Sequence, residues 1–157
     1  MKKWFFLLIT VIMGLLQVSV LDYFKLFGVK PDLLLICMVL ASLYFELKWA
    51  LCLSIFAGIL KDIFSANIFG INILLFPLWS FIIIKLSKNI PVDNNVIRTL
   101  LIFLVVILNN IFIRAIFLFL GKPISWGVSL RVASLESLYT ALVVPLAFKI
   151  IKPFIYS

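Results

Sequence analysis

Apolar runs follow one another along nearly the whole of this chain, and the short segments between them hold most of its charge. Backbone N–H and C=O groups in hydrocarbon find no water and must satisfy one another. An apolar run of about 17–25 residues therefore reads as a transmembrane helix. A soluble fold of 157 residues needs a polar surface, yet 66% of these residues are apolar, only 13% are charged, and mean hydropathy is +1.31. A β-barrel would alternate polar and apolar residues along each strand, and segments 73–84 and 100–108 do not alternate. The expected fold class is an all-α integral membrane protein, one membrane domain over residues 1–157.

Six transmembrane helices are expected, at about 4–21, 31–45, 49–65, 71–86, 99–120 and 132–151. The tight turn Glu46-Leu47-Lys48 makes a hairpin of the second and third, with Trp49 at the membrane interface. Lys30-Pro31-Asp32 opens the second helix, with proline in its first turn and a carboxylate at the positive dipole end. Lys2 and Lys3 ahead of an apolar run have the layout of a signal peptide. The run is long for one, however, and Ser19-Val20-Leu21-Asp22 is no small-x-small cleavage site, so an uncleaved first helix is expected.

The net charge of +8 is scattered between apolar runs rather than gathered on one face, which argues for lipid headgroups and against nucleic acid. Cytoplasmic connections carry the excess of Lys and Arg. With the N-terminus inside, Lys2, Lys3, Lys48, Lys85, Lys88, Arg98, Lys149 and Lys152 fall inside, and Lys25, Lys30, Lys61, Lys122 and Arg131 outside. Eight against five puts both termini in the cytoplasm. The longest connection, 87–98, with Pro91 and Asp93-Asn94-Asn95, reads either as a solvated linker or as a contact for a cytoplasmic partner. Cys37 and Cys52, the two cysteines, fall near opposite membrane faces, so no disulfide is expected.

Charge inside a span is costly and usually pairs or lines a cavity. Lys61, Asp62, Arg114 and Glu136 all fall in the outer third by helical rise. The expectation is a buried polar cluster of Asp62, Arg114 and Glu136, with Arg114 bridging the carboxylates through its five donors. Asn110 and Thr140 stand one turn from Arg114 and Glu136. For Lys61 and Glu136, snorkelling to the headgroups is the competing account. Ser54, Gly58, Lys61, Asp62 and Ser65 share one stripe of the third helix, the kind of small and polar face that admits another helix closely. No nucleophile stands beside a base, no metal-ligand spacing or phosphate loop occurs, and neither enzymatic activity nor a cofactor is expected.

Several of these segments also carry a resemblance. Pro31-Asp32-Leu33-Leu34-Leu35-Ile36, Gly58 with Asp62-Ile63-Phe64-Ser65, Phe69-Gly70-Ile71-Asn72, and Glu136-Ser137-Leu138-Tyr139-Thr140 before Pro145 follow the order and spacing of the bacterial rod-shape-determining MreD family. Thr140 stands where that pattern leads one to expect asparagine. The resemblance spans essentially the whole chain. It implies a non-enzymatic inner-membrane subunit of the elongation machinery. Such a subunit binds an MreC-type single-span partner and helps couple MreB filaments to the lateral-wall synthases. It also implies a fold like the substrate-binding subunits of energy-coupling-factor vitamin transporters. Two uses of the polar residues stay open: a scaffold whose stripe binds a partner's helix, or a transporter subunit with a vitamin-sized pocket contacted by Trp126 and Asn67.

Overall fold

The computed structural model describes residues 2–65, 68–122 and 125–156, without the side chain of Lys2. Among them are six helices and no strand: α1 (Lys2–Ser19), α2 (Leu33–Tyr44), α3 (Leu47–Phe64), α4 (Ile71–Ser87), α5 (Asn95–Phe119) and α6 (Trp126–Tyr156). They run alternately up and down between two ends. One end gathers the start of α1, the close of α2 and the close of α6. There Trp4 meets Trp49 edge-on at 6.4 Å, Phe6 meets Phe45 at 5.0 Å, and Tyr44 meets Tyr156 at 5.7 Å. The opposite end gathers the start of α2, the close of α3 and the start of α4.

α2 is the hub, in contact with each of the other five helices. Every residue from Leu33 to Ser42 is buried, as a helix apolar all round its circumference requires. Its 12 residues rise only about 18 Å, short of the ~30 Å hydrocarbon core, so this helix depends on its neighbours for shielding. The outer helices are inverted relative to a soluble protein. Leu138, Leu142, Leu146 and Ile150 form an exposed ridge on α6, and Trp4, Leu8, Ile12 and Leu15 one on α1, while Thr10, Gln17, Ser42, Ser80, Asn109 and Thr140 are buried. α5 and α6 are long and apolar enough to cross a membrane by length and composition.

Several helix boundaries differ from the sequence expectation. α5 begins at Asn95, not near 99, because the Asn94 side chain caps it by accepting from the Val96 N–H at 2.9 Å. α6 begins at Trp126 rather than 132 and continues past 151 to Tyr156. Its first turn is held by Trp126, whose ring lies 3.5 Å from the Arg114 guanidinium. α2 starts after Asp32, which is its N-cap; Pro31 therefore precedes the helix instead of opening its first turn. Ahead of α2, Phe27 and Gly28 take positive φ of 54° and 80° in a tight turn closed by Leu26 and Val29. Asp22 lies beside the amines of Lys30 (2.9 Å) and Lys25 (3.2 Å), which hold its carboxyl below the usual range. Cys37 is buried, Cys52 exposed, and both are free thiols.

Candidate functional site

A helix that begins inside the protein must have its first N–H groups satisfied by side chains. At the start of α2 three other elements contribute. The Asp32 N–H donates to Thr140 Oγ1 of α6 at 3.1 Å, and the Leu34 N–H to Gln17 Oε1 of α1 at 3.1 Å. The Leu35 N–H donates to Asp32 Oδ1, also at 3.1 Å. The second carboxylate oxygen of Asp32 accepts from Lys61 Nζ of α3, a buried ion pair with Asp32 only 1% exposed. Lys61 also stands over the Phe76 ring, 5.3 Å from its centroid. Glu136 of α6 faces this pair, with the Asn110 side chain beside its carboxylate. Gln17, Lys30, Lys61, Ser65 and Glu136 line a cavity of about 240 Å³, and the Ser65 hydroxyl has no hydrogen-bond partner among the described residues.

Asp62, one residue on, points to the other side of α3 and does different work. Its carboxylate accepts from the backbone N–H groups of Gly70 (3.0 Å), Asn72 (3.2 Å) and Ile73 (3.1 Å), and from Asn72 Nδ2 at 2.8 Å. It caps α4 from a neighbouring helix and places negative charge at the positive end of that helix. Gly58, one turn earlier, makes the approach possible: a Cβ there would lie 2.6 Å from the Asn72 carbonyl oxygen and 2.9 Å from Ile73 Cα. Gly70, the N-cap residue, sits at φ 106°. Glycine and aspartate on α3 thus form one device that docks the start of α4.

The three residues of the expected bridge, Asp62, Arg114 and Glu136, have different surroundings in the structure. Among the described residues the ion pairs are Asp22–Lys25, Asp22–Lys30 and Asp32–Lys61. Asp62 is engaged by the α4 backbone, and Arg114, 5% exposed, stacks on Trp126. Glu136 is about 15 Å along α6 from Trp126, not one turn below its start, because the helix begins earlier than expected. The stripe is likewise used within the chain. Ser54 and Gly58 are buried with Asp62, and Ser54 donates to the Leu51 carbonyl. Asn110 is half-buried and donates to the Val106 carbonyl; its neighbour Asn109 is the buried one, accepting from Trp79 Nε1 at 3.2 Å. Asn67 lies outside the described residues. Gln17 is the site residue that the sequence does not single out; it marks Asp32 only as opening α2 and Thr140 only as standing one turn from Glu136. The available signal was an N-capping aspartate at the same height as Lys61 on the adjacent helix.

This end of the molecule joins polar side chains from α1, α3, α6 and the α1–α2 connection around one small cavity, and each backbone donor described above has its acceptor. No curated protein and no solved structure matches the chain. Residues 1–154 match the family model for rod shape-determining protein MreD, and the chain belongs to that family.

Proposed function

We propose that this chain is a non-enzymatic, multi-pass subunit of the cell-elongation complex in the bacterial inner membrane. It binds an MreC-type single-span partner and helps couple MreB filaments to the lateral-wall synthases. Membership of the rod-shape family over residues 1–154 carries this reading. All six helices cross, α2 as a short central span shielded by the others, and both termini face the cytoplasm, where the larger share of Lys and Arg falls. The internal engagement of Ser54, Gly58 and Asp62 moves the partner's contact away from that stripe, to the apolar faces left outside. In a bilayer such faces associate by packing and not by hydrophobic burial.

Mild-detergent purification of the tagged protein from its own host tests the proposal. Stoichiometric recovery of an MreC-type protein, with wall synthases at lower yield, is the expected result. Recovery of a transmembrane coupling protein with paired ATPases would assign the chain to a transporter instead.

A further inference from the structure

The end of the bundle that holds both termini carries a second cavity, also of about 240 Å³, between the start of α5 and the last third of α6. Asn95, Arg98, Thr99, Phe148, Lys149 and Lys152 line it, and no carboxylate does. Arg98 is its innermost cation, only 3% exposed. The guanidinium lies 3.6 Å from the Phe148 ring centroid and donates to Asn95 Oδ1 (2.9 Å), Tyr44 OH (2.7 Å) and the Val92 carbonyl (3.2 Å). All three acceptors are neutral. Its Nε has no partner among the described residues, so two of the five N–H donors remain unengaged.

Among the described residues no carboxylate pairs with the charge here. Arg98 sits in the first turn of α5, where the helix dipole is itself positive and favours an anion. Lys149 and Lys152 add two exposed amines from α6. The acids at this end are Glu46 and Asp93, both exposed, and among the described residues neither pairs with these three cations. A buried guanidinium surrounded by neutral partners is an expensive arrangement unless an anion completes it. The cavity volume is several times the ~30 Å³ share of a water molecule.

We infer that this cavity is a phosphate site, in which Arg98, Lys149 and Lys152 hold the phosphate of an anionic membrane lipid. Guanidinium binds phosphate through paired N–H donors, and the two amines act as point charges. Basic cavities between membrane helices are suited to such headgroups. The inference depends on the chain residing in a bilayer and is independent of the partner proposed above.

Native mass spectrometry of the delipidated full chain, titrated with phosphatidylglycerol, phosphatidylcholine or inorganic phosphate, tests it. The wild type should bind phosphatidylglycerol at least tenfold more tightly than phosphatidylcholine. The K149Q/K152Q double variant, altered only at exposed positions, should lose most of that preference with an unchanged thermal midpoint. Arg98→Lys should weaken binding further while retaining one charge. Displacement of the lipid by millimolar inorganic phosphate would assign the site to the phosphate group alone; resistance to displacement would assign it to the whole lipid. Equal binding of the two lipids, or an unchanged preference in K149Q/K152Q, would overturn the inference.

Discussion

Asp32 and Lys61 show why a buried ion pair is recognised by its partners and not by its charges. Each alone is a costly residue in a span. Together they leave neither charge isolated, and Asp32 also spends one oxygen on the Leu35 N–H. Removing one member of such a pair typically costs about 3–5 kcal/mol, whereas replacing both can be nearly neutral. Lys61→Met alone and Asp32→Asn alone should therefore each lower the detergent-solubilised melting temperature and the amount of protein in the membrane. The double variant should recover most of the loss, since asparagine keeps the cap. Additive losses would show that the two charges do not stabilise each other. Glu136 was placed too near the start of α6, which begins at Trp126, but the heights of Lys61, Asp62 and Arg114 along their helices were legible by counting 1.5 Å per residue. Their pairing was not. Adjacent residues on a helix point about 100° apart, so Lys61 and Asp62 meet different neighbours, and only tertiary structure says which. Thr140 was noticed for departing from a pattern, yet it accepts a buried backbone N–H.

Among the elements, the apolar runs located all six helices, and the starts of α2, α5 and α6 were misjudged where a side chain outside the apolar pattern holds the first turn. Asn94 extends α5 backwards by capping it, and the Arg114–Trp126 stack anchors the beginning of α6. The stripe on α3 was legible as a face for close approach; what it approaches is α4 of the same chain. That distinction has an energetic consequence. Gly58→Ala would drive a methyl into the Asn72 carbonyl, a backbone group that cannot rotate away, and overpacking of this kind costs about 1–3 kcal/mol or more. Asp62→Ala would strip acceptors from the Gly70, Asn72 and Ile73 N–H groups at about 1–3 kcal/mol for each one left buried and unsatisfied. Both variants should accumulate poorly and become sensitive to proteolysis between α3 and α4. Asp62→Asn, which retains one oxygen, should fall between Asp62→Ala and the wild type. Were Gly58→Ala to match the wild type in thermal midpoint, the tight α3–α4 docking would be wrong.

At the scale of the molecule, the polar ends perform separate tasks on one up-and-down frame. At the end with Asp32, Lys61 and Asp62, acids and bases are matched and backbone donors are satisfied, which suits a rigid floor. At the other end the cavity lined by Arg98, Lys149 and Lys152 has no carboxylate on its wall, which suits an external anion. In the proposed topology the two ends lie on opposite sides of a membrane, with the Arg98 end on the cytoplasmic side, where the larger share of Lys and Arg falls. The assignment can be read with one cysteine at a time in a background where Cys52 is alanine and Cys37, buried in α2, is retained. Lys25→Cys, in the exposed α1–α2 connection, should react with an impermeant maleimide in intact spheroplasts. Asp93→Cys, in the exposed α4–α5 connection, should react only after lysis. The reverse pattern would invert the molecule and place the basic cavity on the outer leaflet. Labelling of both positions from outside would mean that these two connections do not lie on opposite sides, which the up-and-down order of α1 to α5 requires.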